Sequence, residues 1–164
     1  LQQVLRFDGP LVIDADGLSA LSTDFMRSVP LDKRRRWVIT PHPGEMARLT
    51  ASDPASVNAD RVGAASGFAQ QWGPVVVLKG APTVTADGER VYINSTGNHG
   101  LATAGTGDIL TGLTAALLGQ GLAPLQAGAL AAYVHGRAGD LAGAKGQRGL
   151  KAGDCLNFIQ EILQ

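Results

Sequence analysis

The sequence has a single cysteine, no excess of either charge and no long apolar run. One thiol cannot close an internal disulfide, which removes the stapled secreted scaffolds and fits a reducing compartment. No basic neighbour in sequence lowers the pKa of Cys155, so it reads as a small buried residue near the C-terminal helix rather than as a nucleophile. Fourteen basic residues balance fourteen acidic ones, which leaves no net field to hold the chain on nucleic acid or an anionic membrane. An anion has to be held locally. No apolar stretch approaches the roughly 20 residues of a membrane span, and no basic start leads into a signal-like apolar run. A cytoplasmic location is the expectation. The first residue, Leu1, is not a methionine, and "LQQVLRF" reads as the latter part of an amphipathic helix, so the chain is expected to be cut.

What is abundant is glycine, 22 residues in 164 against an average of about 7%. Many stand where a strand hands over to a helix, the place where backbone approaches backbone or ligand closely. The length suits one domain. "GPLVIDAD" is a short apolar run ending in acid, the signature of a strand covered on both faces. "GLSALSTDFMR" follows as a helix; Trp37–Thr40 is expected as a second strand, "PHPGE" as a loop, and a helix from Glu45. "DPASVNADRVGAASGFAQQWG" reads as a longer helical region capped by Asp53 or Ser52 and closed by Gly73 and Pro74. "PVVVLKG" is the clearest strand, and two β-rich pieces flank the hairpin signal Asp87-Gly88. Helices are expected from Asp108 to Gly119, over the small-residue stretch "PLQAGALAAYVHGRAGDLAGA", and over a capped amphipathic "GDCLNFIQEIL". The alternation implies a layered α/β domain with ligands beyond the carboxyl ends of its parallel strands, where "IDAD", "TPHPGE" and "LKGAPT" lie.

"LATAGTGDIL" sets glycines on both sides of Thr106, just before Asp108 and an apolar run. The first amides of a helix have no intrahelical partner and carry partial positive charge, so Gly105, Thr106 and Gly107 form a candidate anion hole. Asp108 alone reads as a helix cap. A cap needs no such glycines, whereas a carboxylate beside a phosphate cradle can take the proton of a hydroxyl attacking that phosphate. Two familiar glycine motifs do not apply: there is no Gly-Lys-Ser/Thr, and no apolar strand leads into the loop.

Together "LVIDADGLSAL", "VITPHPGEMARL", "VVLKGAPTV", "NSTGNHGLATAGTGDILTGLTAALLGQG" and "AAYVHGRAGDLA" resemble, in order and spacing, the NAD(P)H-hydrate dehydratase family of the ribokinase-like superfamily. The resemblance implies an α/β, layered αβα fold with a mainly parallel central sheet. It makes residues 1–164 the C-terminal part of one domain whose N-terminal strands are missing, so that the isolated chain is expected to turn over poorly. It further implies a repair lyase that dehydrates the S form of hydrated NADH or NADPH at the expense of ADP, releasing AMP and phosphate. Asp108 matches the catalytic base and, with His42, the substrate contacts; Lys79, Gly80, Ala81, Pro82, Thr83 and Gly107 match nucleotide contacts. Glu45 matches an acid that organises Mg2+ through water, with a surface glutamate at a helix start as the alternative. Relatives imply a homo-oligomer, often a tetramer, and in some bacteria an epimerase domain fused upstream. A ribokinase-like kinase for a vitamin precursor or sugar, or a silent nucleotide-binding module, are the alternatives.

Blander expectations attach to other residues. Asp14 and Asp16 read either as metal ligands or as caps of the helix near Gly17, the cap being preferred. Lys79 reads either as a solvated strand-end lysine or as a binding residue, the resemblance favouring the second. His135 is expected to be a satisfied structural histidine, His99 a neutral loop variant, and "DKRRRW" a solvated basic turn. Arg148 can reach a phosphate or a neighbouring subunit.

Overall fold

The computed structural model describes residues 3, 4 and 7–164. Among the described residues five strands lie side by side in chain order: β1 (Leu11–Ile13), β2 (Trp37–Ile39), β3 (Val75–Leu78), β4 (Val84–Ala86) and β5 (Val91–Ile93). The first three are parallel, with Leu11 opposite Trp37 and Val38 opposite Val75. β4 and β5 fold back antiparallel, with Val77 opposite Thr85 and Thr85 opposite Tyr92. The turn between them closes on Asp87, whose carboxylate accepts the Glu89 and Arg90 amides at 3.1 and 2.7 Å.

Because side chains alternate along a strand, the sheet has two apolar faces. Trp37, Ile39, Val76, Leu78, Val84 and Ala86 project to one side and pack with Leu18, Met26, Met46, Val57 and Phe68. These come from α1 (Asp16–Ser19), α2 (Thr23–Ser28), α4 (Pro43–Leu49), α5 (Pro54–Ala59) and α6 (Arg61–Trp72), with α3 (Leu31–Arg34) between them in sequence. Val38, Val75 and Val77 project to the other side, onto Leu110, Leu117, Ala127 and Ala131 of α7 (Thr106–Gly119) and α8 (Pro124–Ala142). The small residues of α8 allow close approach: a Cβ on Gly128 would stand 2.8 Å from Val77 Cγ2. α9 (Ala152–Ile162) closes a third cluster around Ala138, Leu150 and the fully buried Cys155. Burying each such Val, Leu or Ile is worth about 1.5–3 kcal/mol. Among the described residues no helix is long and apolar enough to cross a membrane.

Several local expectations need correction. The expected helix 17–27 is two short helices, because the Ser22 hydroxyl accepts the Phe25 amide at 3.2 Å and starts a second one. The long helical region after Ser52 is likewise split at Asp60, which caps α6 through the Gly63 amide, while Asp53 caps α5. α4 begins at Pro43 rather than Glu45, and α7 at Thr106 rather than Asp108. Of the helix read into "LQQVLRF", residues 3 and 4 are helical and residues 1, 2, 5 and 6 lie outside the described residues. The basic turn is not simply solvated: Arg34 donates to the Val29 and Trp72 carbonyls, and Arg36 pairs with Asp8 at 2.7 Å.

Candidate active site

The carboxyl ends of β1, β2 and β3 carry Asp14, the Thr40–His42 turn and Lys79. The strands continue just far enough to register them: the Thr40 amide donates to Ile13 O at 3.1 Å and the Lys79 amide to Pro41 O at 2.8 Å. Lys79 Nζ then donates to Asp14 Oδ1 at 2.7 Å and stands 3.9 Å from Glu45 Oε2. From the other face, Thr111 on α7 donates its hydroxyl to Asp14 Oδ2 at 2.8 Å and lies 3.4 Å from the Thr40 hydroxyl. Burial pushes the Asp14 carboxyl up, but the hydrogen bonds from Lys79 and Thr111 and the Lys79 charge outweigh it and hold it below the usual range. Asp14 is therefore not a cap; α1 begins after Ala15 with no side-chain cap, and Asp16 is its exposed first residue. Lys79 is not a solvated lysine, being tied to a carboxylate with 21% of its side chain exposed.

His42 is the N-cap of α4. Its Nδ1 accepts the Gly44 and Glu45 amides at 3.0 and 3.2 Å, while its own amide donates to Glu45 Oε2 at 2.7 Å. An Nδ1 that accepts carries no proton, so the half-exposed ring presents Nε2, 3.5 Å from Glu45 Oε1.

The segment from Lys79 to Thr83 is held by a residue that the sequence did not single out. Arg61, on α6, donates from Nη2 to Leu78 O and Lys79 O at 3.0 and 2.9 Å and from Nε to Pro82 O at 3.0 Å. Thr83 donates its hydroxyl to Gly80 O at 3.0 Å, and the Ala81–Pro82 peptide is cis. Nothing local in "NADRVGA" marks such a role.

Gly105 caps α7 with a φ of 88°, a left-handed conformation that favours glycine. Thr106 is buried and turned inward: its hydroxyl donates to Leu101 O and Thr103 O at 2.7 and 2.8 Å, and its amide to Thr103 O at 3.3 Å. First-turn amides have no partner within the helix, and with Thr106 committed those of Gly107 and Asp108 remain. A Cβ on Gly107 would lie 3.5 Å from Lys79 Nζ and 3.9 Å from Asp14 Oδ2, so this glycine leaves the ion pair open. Asp108 is the third residue of α7 and exposed, not the cap. It precedes Thr111, the Asp14 partner, by about one helical turn.

Elsewhere, His99 is exposed at the start of a 3-10 turn whose Gly100 is buried, and Arg148 is exposed. His135 is buried, as expected of a structural residue, but among the described residues its Nε2 has no hydrogen-bond partner.

A mixed sheet between two helical layers is an α/β fold of the ribokinase-like kind. The NAD(P)H-hydrate dehydratase family model matches residues 1–161, and the chain belongs to that family. It is 51% identical over 162 residues to a bifunctional NAD(P)H-hydrate repair enzyme of Moorella thermoacetica, covering 97% of this chain and 30% of that protein. An ADP-dependent (S)-NAD(P)H-hydrate dehydratase of Neisseria meningitidis is 42% identical over 147 residues, 89% of this chain and 49% of that one. The crystal structure of an ADP/ATP-dependent NAD(P)H-hydrate dehydratase from Bacillus subtilis, co-crystallised with ATP and Mg2+, superposes with a TM-score of 0.85 at 32% identity. That match covers 99% of this chain and 57% of the other. The chain thus spans between 30% and 57% of the lengths of these three relatives.

Proposed function

We propose that the polypeptide carrying this chain removes water from the S form of NAD(P)H hydrate at the expense of ADP, yielding NAD(P)H, AMP and phosphate. The observation that supports this reading best is the meeting of Asp14, His42, Lys79 and the Gly105–Asp108 loop at one end of the sheet of a chain in this family.

Hydroxide is a poor leaving group and phosphate a good one. In this reading Asp108 accepts the proton of the substrate hydroxyl as its oxygen attacks the β-phosphorus of ADP. The phosphorus–oxygen bond to AMP breaks; the carbon–oxygen bond of the new ester then breaks to release phosphate, while the neighbouring ring carbon gives its proton to the departing phosphate or to water and the ring double bond forms. The Gly107 amide and the Lys79 ammonium face the charge that gathers on the transferred group. Gly105 shapes the anion hole and Thr106 anchors it, Lys79–Thr83 hold the AMP portion, and His42 turns Nε2 to the hydrated cofactor. Among the described residues no cluster of three His, Cys, Asp or Glu could hold a metal ion, and the Asp14 carboxylate is already paired with Lys79. Mg2+ would come with the nucleotide phosphates, and Glu45, whose Oε2 accepts the His42 amide at 2.7 Å, would hold it through water. A cytoplasmic homo-oligomer and an upstream epimerase domain complete the proposal.

The test is Asp108→Asn in the full natural polypeptide. Recovery of NADH absorbance from the hydrate with ADP should fall by about 10²–10⁴-fold, the usual worth of a general base, while AMP binding stays within twofold. Parental turnover in the variant rejects Asp108 as the base. A phosphorylated product that persists instead of eliminating rejects the lyase reading in favour of a kinase.

A further inference from the structure

The motif "AAYVHGRAGDLA" on α8 reaches none of the proposed contacts, yet it holds the whole approach to the glycine loop. Asp140 Oδ2 accepts the Gly97 amide at 3.1 Å, and Asp140 Oδ1 accepts Asn98 Nδ2 at 3.2 Å. Asn98 Nδ2 also donates to Gly139 O at 2.8 Å, and Asn98 Oδ1 accepts the Gly100 amide at 2.9 Å. Upstream, Asn94 Nδ2 donates to Ala132 O at 3.2 Å and the Thr96 hydroxyl to Tyr133 O at 2.9 Å. Two glycines make this approach possible. A Cβ on Gly136 would stand 2.7 Å from the Thr96 carbonyl carbon, and one on Gly139 2.6 Å from Leu101 Cγ. Leu101 O in turn accepts the Thr106 hydroxyl at 2.7 Å.

We propose that Asp140 is a positioning residue: through Gly97 and Asn98 it fixes the 97–106 segment on α8, so that the α7 amides point at the transferred phosphate. This rests on the reading of Gly105–Gly107 as the anion hole. A carboxylate is suited to the task because it accepts two donors at once from two oxygens, each as a charge-assisted bond. Asp140 itself touches neither nucleotide nor substrate. Freed from it, the loop loses register with the reacting atoms, and displacements near 1 Å cost on the order of 10²-fold in rate.

The experiment compares Asp140→Ala, Asp140→Asn and Asp108→Asn in the full natural polypeptide, with kinetics taken well below the thermal midpoint of each. Asp140→Ala should lower kcat about 10–100-fold per folded molecule, with KM for the hydrate changed less than threefold. Asp140→Asn keeps one acceptor and should recover part of the loss. A purely structural role would lower the thermal midpoint and leave kcat per folded molecule at the parental value. That result overturns the proposal, as does parental kcat in Asp140→Asn where the alanine variant does not fold. An inactive Asp108→Asn beside a fully active Asp140→Ala rejects the positioning role alone. An active Asp108→Asn rejects Asp108 as the base, and with it the chemistry proposed for this site, whatever Asp140→Ala does.

Discussion

Replacing Lys79 with methionine keeps most of the aliphatic stem and removes the charge that faces Asp14. The pair is separated by 2.7 Å, with side chains 21% and 11% exposed. The variant leaves a largely buried carboxylate with the Thr111 hydroxyl as its remaining side-chain donor. Breaking a fully buried pair by removing one member costs about 3–5 kcal/mol, and a single charge-assisted hydrogen bond is worth about 1.5–3 kcal/mol. Because water still reaches this pair and Thr111 stays, the lower range applies, and Lys79→Met should cost about 2 kcal/mol. For a domain of this size that lowers the thermal midpoint by about 4–8 °C, readable in the fluorescence of the buried Trp37. Asp14→Asn should cost less, and in the double variant the two costs should fail to add by about 1.5 kcal/mol, since neither charge is stranded. The coupling also has a pH limit. The native pKa of Asp14 is lowered from 3.8, so the stabilisation is complete above that value and is lost as pH falls through the native pKa. A Lys79→Met midpoint within 1 °C of the parent, or costs that simply sum, would refute the ion pair as a stabilising element.

Two other perturbations probe the supports of the site. Arg61→Ala strips hydrogen bonds from the Leu78, Lys79 and Pro82 carbonyls and should weaken AMP binding about tenfold or more, measured by titration calorimetry. Arg61→Lys should not restore it, because one ammonium cannot reproduce the planar fork, and unchanged affinity in the alanine variant would detach Arg61 from the nucleotide segment. Burial pushes the His135 pKa below 6.5, with the Thr106 backbone bond opposing it. The unfolded chain therefore binds a proton that the native ring refuses; stability is complete above pH 6.5 and declines as pH falls below it. The midpoint measured from pH 7.5 to 5 should fall more steeply for the parent than for His135→Gln, and equal slopes would show that His135 carries none of the dependence.

The motif-bearing loops were legible because each is announced locally. Short apolar runs ending in Asp14, Thr40 and Lys79 mark strand ends, and glycines flanking Thr106 mark a helix start. Errors cluster where a side chain competes for a helix terminus. Ser22 and Asp60 interrupt helices that propensity alone would continue, and the His42 imidazole starts α4 two residues before the expected Glu45. Asp14 was misread for a similar reason. An acid just before a helix is usually a cap, and its true partners, Lys79 and Thr111, lie 65 and 97 residues away.

From the sequence alone came the α/β alternation, the two-faced strands, the family resemblance and the loops in which chemistry would gather, because periodicity and turn residues act over a few neighbours. The tertiary structure decided which side chains answer one another: Lys79 with Asp14, Arg61 with the Leu78–Pro82 carbonyls, Asp140 with Gly97 and Asn98. Those pairings depend on how parallel strands align their ends and how closely α8 settles on the loop before α7. Such distances are set by packing between segments far apart in the chain, where no local pattern carries the information.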